Sequence, residues 1–599
     1  MTTKTKPYWR LAKLPLAVSL ASTLAAPAFG VTFNIGEIEG QFDSSLSVGA
    51  SWSTAKRDRD LIGSSNGGTG FTQTGDDGRL NFKRGETFSK IFKGIHDLEL
   101  KYGDTGVFVR GKYWYDFELK DESRLFKDIS DSNRKEGAQS SGAEILDAFI
   151  YHNYAIGDQP GSVRLGKQVV SWGESTFIMN GINAINPIDV AAFRRPGAEI
   201  KEGLIPVNMF YLSQSLTESL SAEAFYQLEW DQTVVDNCGT FFAVDVLQDG
   251  CASNYHVQSY PAGLAGALGA VGAAGSSEGV MVRRAGDNDA RDSGQWGVAL
   301  RWLGDEAEYG LYALNYHSRT PNVSYINADA ASIAAIATTA GRLPPAFRTP
   351  FVSLGLLGTG SYFLDYPEDI RLYGASFSTT LPTGTAWQGE ISYRPNMPLQ
   401  INTVDTTGWL ASGIGGALAV DNVSAALAQA GQAHRGYNRK EVTQLQTTFT
   451  HFIDQVLGAE RMTLVGEIGY TRIGGLESLD KVRYGRDAIY GGYNDASAIA
   501  MNGRHGFYTS GSWGYRARGI LDYNNVFAGI NLKPNVAWSH DVDGYGPVFN
   551  EGAKAVSLGL DADYQNTYTA SLSYTNFFGG DYNTQTDRDF VALSFGVNF

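Results

Sequence analysis

The chain has 599 residues, a net charge of −15 and 43% apolar residues, with 31 Tyr, 31 Phe and 11 Trp but only 2 Cys. Mean hydropathy is slightly negative, −0.20, and past residue 30 no apolar run approaches the roughly 18 residues of a membrane-crossing helix. This excludes a helical membrane protein, and an acidic chain without a basic stripe is a poor partner for nucleic acid.

In chain order, Lys4, Lys6, Arg10 and Lys13 precede the alanine-rich stretch "LPLAVSLASTLAAPAFG". A basic start, an apolar run and small residues form a secretory signal peptide, cut after Ala28 or Gly30. The reading is therefore 1–28 signal peptide and 29–599 one barrel. Losing residues 1–28 removes four basic and no acidic side chains, so the net charge of −15 becomes −19. Both cysteines lie far downstream, against a lipoprotein. Residues 29–43 are too few for a plug domain ahead of the first strand, and no further domain is expected after Phe599.

Strands follow. In 107–118, Val107, Val109, Tyr113, Tyr115 and Phe117 alternate with Arg110, Lys112, Asp116 and Glu118. In 386–394, Trp387, Ile391 and Tyr393 oppose Gln388, Glu390, Ser392 and Arg394, and in 294–302 four apolar residues oppose Gln295 and Arg301. Period-2 alternation marks half-buried strands. We expect eighteen, near 44–52, 95–102, 106–119, 144–156, 162–170, 205–214, 219–230, 294–303, 306–318, 369–380, 385–394, 441–454, 460–472, 514–531, 536–541, 553–562, 567–576 and 589–599. Short connections alternate with long ones, among the short "GDT" (103–105), "LPTG" (381–384) and "LKPN" (532–535). The fold class is thus all-β: a single large antiparallel transmembrane β-barrel of about 18 strands, with short periplasmic turns and long extracellular loops carrying some helix. In the last strand Val591, Leu593, Phe595, Val597 and Phe599 alternate, which resembles the signal read by the outer-membrane barrel-assembly machinery. Expected surroundings are outer-membrane lipid and lipopolysaccharide of a Gram-negative cell.

Eighteen strands enclose a wet lumen unless loops fold inward. Arg110, Lys112, Asp116, Glu118, Glu223, Glu229, Arg301, Glu390, Arg394 and Glu467 are assigned to its wall, where mixed charge is tolerable; they line a polar, partly obstructed channel or brace the wall by pairing. Segment 171–204 lacks either period, is rich in Asn, Gly and Pro, and carries Arg194 and Arg195. It is expected to fold inward as a constriction; the competing reading is an ordinary exposed loop. Three loops hold small-residue apolar stretches, 262–275, 328–341 and 410–431, expected to pack together as a lid or only against loop neighbours. Cys238 and Cys251 share one loop, and export makes a disulfide between them reasonable.

Other chemistry is poorly supported. "GSVRLGKQ" (161–168) has Gln168 where a phosphate loop needs Ser or Thr. H-E-x-x-H and G-x-S-x-G are absent, so no catalytic residue, cofactor or metal site is assigned. "DNDARD" (287–292) and "HDVDG" (540–544) lack the full spacing of a calcium loop. A barrel hydrolase with Ser and His on adjacent strands escapes any motif search.

"FNIGEIEGQFDSSLSVGASW", "DDGRLNFKRG" (76–85), "RLGKQVVSWGES" (164–175) and "NPIDVAAFRRPGAE" (186–199) resemble a proteobacterial outer-membrane β-barrel family catalogued as domain of unknown function thirteen-oh-two. The resemblance runs from about residue 33 to the end. It implies a barrel in the company of periplasmic and inner-membrane export components, moving hydrophobic or lipid-like compounds; it implies no functional residues. The expected function is a channel or transporter for small, apolar or amphipathic molecules, not an enzyme. The alternatives are a non-enzymatic envelope-assembly or lipid-export partner and, last, a barrel hydrolase.

Overall fold

The computed structural model describes residues 30–412 and 423–599; the signal peptide assigned to 1–28 and the middle of the 410–431 stretch lie outside them. Eighteen strands form one antiparallel ring. They are β1 (Ile38–Ser53), β2 (Thr87–Tyr102), β3 (Thr105–Asp116), β4 (Ser141–Ile156), β5 (Gln159–Gln168) and β6 (Val207–Ser215). Then follow β7 (Leu220–Gln227), β8 (Trp296–Leu303), β9 (Ala307–Tyr316), β10 (Ile370–Thr380), β11 (Ala386–Gln400) and β12 (Tyr437–Val456). The last six are β13 (Ala459–Gly474), β14 (Gly511–Phe527), β15 (Ile530–Asp543), β16 (Lys554–Tyr564), β17 (Tyr568–Phe578) and β18 (Phe590–Asn598). Each pairs with its sequence neighbours, and β18 closes on β1 from Ser45↔Asn598 to Ser53↔Phe590. Closure leaves the ring itself without an open edge, the condition for a sheet to stand in hydrocarbon; a short strand, Val31–Ile35, pairs with the start of β1 alone.

Alternation decides which residues meet lipid. Val107, Ile150, Leu165, Phe210, Val298, Leu311, Ile391, Leu445, Ile468, Leu558, Leu572 and Phe595 are all exposed on outward faces of the ring. Such a continuous apolar belt has no place in water. Aromatic rings flank it near the short turns, where Trp302 stacks on Tyr309 and Trp387 packs with Phe377 and Phe449. The opposite rim pairs Tyr373 with Tyr393 and Tyr470 with Trp513. Paired aromatic girdles are the expected trim of a membrane barrel. No helix among the described residues is long and apolar enough to cross a membrane.

All eighteen expected strands are present, with shifted ends. The stretch 514–531 holds β14 and then a tight turn at Ala528 and Gly529, so 532–535 is strand and not turn. Pro534 misled the reading: it pairs with Leu560 of β16, while its other side, lacking an N–H, forms no ladder pair with β14. The expected strand 106–119 ends at Asp116, whose carboxylate accepts the Glu118 and Leu119 N–H groups and starts a helical turn, Phe117–Asp121. β12 runs for 20 residues, about twice what the bilayer needs, so its far end rises into the loops.

Above the rim, the long connections build a domain of their own. α1 (Ala330–Arg342), α2 (Pro345–Thr359) and α3 (Thr403–Ser412) pack on Leu264, Leu268, Val280 and Tyr325 in one apolar core. The three small-residue stretches therefore share a core, together with α2, which the sequence reading did not single out. Cys238 and Cys251 are joined by a disulfide, with Cα atoms 6.2 Å apart.

Candidate functional site

The connection between β5 and β6 turns into the ring and crosses it. Its first half is clasped by inward side chains of the far wall. Glu467 accepts the backbone N–H groups of Thr176 (2.9 Å), Phe177 (2.6 Å) and Ile178 (2.7 Å). Glu390 accepts the Ile182 N–H at 2.8 Å, the Glu174 N–H, and Gln446 Nε2 at 2.9 Å. Arg394, wholly buried, donates to the carbonyls of Asn180 (2.9 Å) and Gly181 (2.6 Å) and to Tyr316 Oη (2.8 Å). Hydrogen bonds to a charged partner contribute about 1.5–3 kcal/mol each. Glycine is required at two contacts: a Cβ on Gly181 would stand 1.9 Å from Glu390 Oε1, and Gly173 combines φ +88° with 2.3 Å to Oε2.

Between these clasps the segment buries Trp172, Ile182 and Ile185 against Met209, Phe225, Leu314 and Leu372. Full burial of side chains this size stabilises by about 1.5–3 kcal/mol apiece. One side of the lumen is therefore an apolar core, which the expectation of a polar channel missed. The Trp172 Nε1–H donates to Glu223 at 2.6 Å, and Asn186 ties the Val170 N–H to the Gln168 and Ile205 carbonyls.

The second half anchors on the near wall. Lys112 pairs with Asp189 (2.9 Å) and Glu144 (3.2 Å), and Lys93 with Glu202 (2.6 Å). Arg194 pairs with Asp236 at 3.2 Å and lies on the Phe242 ring; Arg195 lies on Trp114 and donates to the Gly137 carbonyl. Neither cation is free.

The remaining sequence-assigned residues are also engaged. Arg110 pairs with Asp97 and Asp147, and Arg301 with Glu223 and Glu308. Asp116 caps a helical turn, and Glu118 sits beyond the strand, paired with Lys90 and Arg124. Glu229 lies past the end of β7 and accepts from Asn208. Glu118 and Glu229 thus fall outside the strand wall because the strands end earlier than alternation indicated. Arg394 lies under the inward segment, not against water.

What stays open is off-centre. On β11 and β12, inward Glu390, Ser392, Gln444 and Gln446 are buried under the segment. On β16 and β17 the inward Ser557, Asp561, Ser571 and Ser573 keep partial exposure. A cavity of about 150 Å3 separates Phe177 from Arg516, Arg518, Ser539 and Ser557. Arg516 pairs with Asp541 at 2.7 Å, whereas Arg518 is exposed within the ring with no ion pair or hydrogen bond among the described residues. Both were missed in the sequence because Pro534 obscured the strand beside them, though the alternation Arg516–Ala517–Arg518 was there to read.

Over this slot, six of the long connections enclose a cavity of about 810 Å3. Leu61, Val246, Val257, Leu357, Ile401 and Ile489 contribute apolar wall, and Arg79, Arg483, Arg486 and Arg588 reach it. Nearby, Asp76, Asp77 and Glu278 form a buried acidic cluster, with Lys127 bonded to Asp77 (2.9 Å) and Glu278 (2.7 Å). Burial pushes the Asp76 carboxyl up to about 6. His256 Nε2 lies 3.0 Å from Ser276 Oγ, but its Nδ1 is 3.8 Å from Glu278 and has no hydrogen bond. A serine-hydrolase relay needs that second bond. Of the acidic runs weighed for calcium, Asp287 is held by Arg284, Asp292 by the Trp230 N–H, and Asp541 by Arg516.

Fold and site together define a transmembrane β-barrel whose lumen is narrowed by its own chain. The protein belongs to the family described as protein of unknown function (DUF1302), whose profile matches residues 11–599. No curated protein matches. Among solved structures, Acinetobacter baumannii OccAB1 overlays at TM-score 0.39 and 10% identity, covering 96% of this chain and 98% of that one. Pseudomonas aeruginosa OccD3 (OpdP) overlays at 0.37 and 10%, covering 97% and 96%, and the A. baumannii outer-membrane channel DcaP at 0.34 and 9%, covering 95% and 100%. Overlaps this loose say nothing about what passes through this chain.

Proposed function

We propose that this protein is an outer-membrane channel of a Gram-negative bacterium that passes small, apolar or amphipathic molecules without chemical change. The observation that carries the reading is the lopsided lumen. Segment 171–204 is tied to β11–β13 and to β2–β3, while the small inward residues of β16 and β17 stay accessible beside it. A plug meant only to brace the wall would have been held on all sides. The mostly apolar vestibule above gives such solutes a place to leave water before they meet the slot.

Purified barrel in planar bilayers is the test. Discrete conductance steps are expected, and deletion of 180–197 is expected to enlarge them. Absence of steps, or steps unchanged by the deletion, would overturn the reading. The last strand, Phe590–Asn598, with the Phe599 that follows it, is proposed as the segment engaged by the barrel-assembly machinery.

A further inference from the structure

Although the chain is acidic overall, the charges matched least well along this route are cations. Arg588 lines the vestibule, is only 4% exposed, and lies on the Phe241 ring with no side-chain hydrogen bond among the described residues. Its nearest carboxylate oxygen, on Asp587, is 3.7 Å away. Through Oδ2 that carboxylate serves Arg79 at 3.1 Å and the Asp58 N–H at 3.2 Å, while its Oδ1 faces Arg588 at this longer distance without a hydrogen bond. One acid thus stands between two guanidiniums. Burial, with Arg79 beside it, pulls the Arg588 pKa down to about 9.

Arg486 repeats the pattern on the same cavity. It is 8% exposed, donates only to the carbonyls of Gly503, His505 and Tyr490, and packs on Phe507 and Tyr582. Its Nε is buried without an acceptor, and no carboxylate pairs with it among the described residues. The acids lining the cavity are committed elsewhere. Asp405 holds Arg483 at 2.7 Å, Asp487 accepts the Ile489 N–H, and Asp495 accepts those of Ser497 and Ala498. Arg518, in the slot below, has no ion pair or hydrogen bond among the described residues. A buried guanidinium that has no counter-charge, as Arg486, or shares one carboxylate with a second guanidinium, as Arg588, is costly, and an anion of the ligand is what relieves it.

We propose that the vestibule is a binding site for an amphipathic solute with one anionic group, a carboxylate, which matches the guanidinium fork in two parallel bonds. The head group meets Arg588, with Arg486 as the second cation, and the apolar body lies on Leu61, Val246, Val257 and Ile489. The site deepens the channel reading, and rests on it only for the onward movement of the solute.

Equilibrium binding separates the two claims. The full barrel in phosphatidylcholine nanodiscs is titrated with 4-(4-fluorophenyl)butyrate and, separately, with the matching alcohol and amine, followed by fluorine NMR against empty nanodiscs. Saturable binding of the carboxylate, about tenfold tighter than either analogue, is expected. Arg588→Gln and, should that variant misfold, Arg486→Gln are each expected to erase most of that preference while alcohol binding is unchanged. Equal binding of all three probes, or a preference untouched in the folded variants, overturns the proposal. Conductance without carboxylate preference would sink this site alone; preference without conductance would sink the channel reading alone.

Discussion

Glu467 shows how much one inward carboxylate does in this lumen. Three successive backbone N–H groups of the crossing segment end on it, and the segment has no strand or helix of its own there to satisfy them. Glu467→Ala would leave three donors without that acceptor, so the tip at Phe177 should loosen and single-channel conductance rise. Glu467→Gln, which keeps an acceptor but loses the charge, should rise less; identical conductance in both variants and parent would contradict the assignment. Asp76 offers a pH test outside the membrane. Its folded pKa, about 6, lies above its ordinary value, so its contribution is fullest below the ordinary carboxylate range and is lost as pH rises through 6. His256, whose pKa burial lowers, works the other way as it gains a proton, while Lys127, raised chiefly through Asp77, stays charged throughout. The comparison is therefore between parent and Asp76→Asn: amide exchange over 60–81, corrected for intrinsic rate, should slow from pH 7 to pH 5 more in the parent than in the variant. Alternation told which residues look inward, Glu390 and Arg394 among them. It did not tell what meets them, because their partners lie over two hundred residues away in a segment with no period at all.

Elements were legible where the period was 2 and the turns were tight. β3, β8, β17 and β11 as far as Arg394, where a bulge shifts its register, follow alternation residue by residue, since one face meets lipid and the other meets protein or water. The reading failed where a local breaker was stronger than the ladder, as at Pro534 in β15, or where a strand end became a cap, as at Asp116. Loop helices such as Pro345–Thr359 were illegible because their apolar faces pack on one another and not on the barrel. The Cys238–Cys251 link belongs to this scale. It closes a short loop next to Asn237 and Asp245, which bond residues of the first and second long connections. Cys238→Ser with Cys251→Ser should lower the protection of 231–255 from limited proteolysis while the barrel's heat resistance stays, because no strand of the ring contains either residue.

At the scale of the molecule, the chain builds a ring, fills one half of it with its own fifth connection, and roofs the opening with the other long loops. The filled half is held by an apolar core and charged clasps. The empty half is lined by serine, aspartate and an unpaired arginine. Architecture was readable from the sequence because a closed barrel repeats one rule eighteen times. The asymmetry of the lumen was not, since it depends on where a single aperiodic segment comes to rest.

Cysteine accessibility tests that asymmetry most directly, because both native cysteines are already joined. Ser557→Cys on β16 and Ser392→Cys on β11 place one thiol on each inner wall. Exposure to a small charged methanethiosulfonate should modify Ser557→Cys quickly and depress its conductance, while Ser392→Cys, shielded by the crossing segment, reacts slowly and conducts as before. Equal reaction at both, or faster reaction at Ser392→Cys, would contradict a passage along β16 and β17.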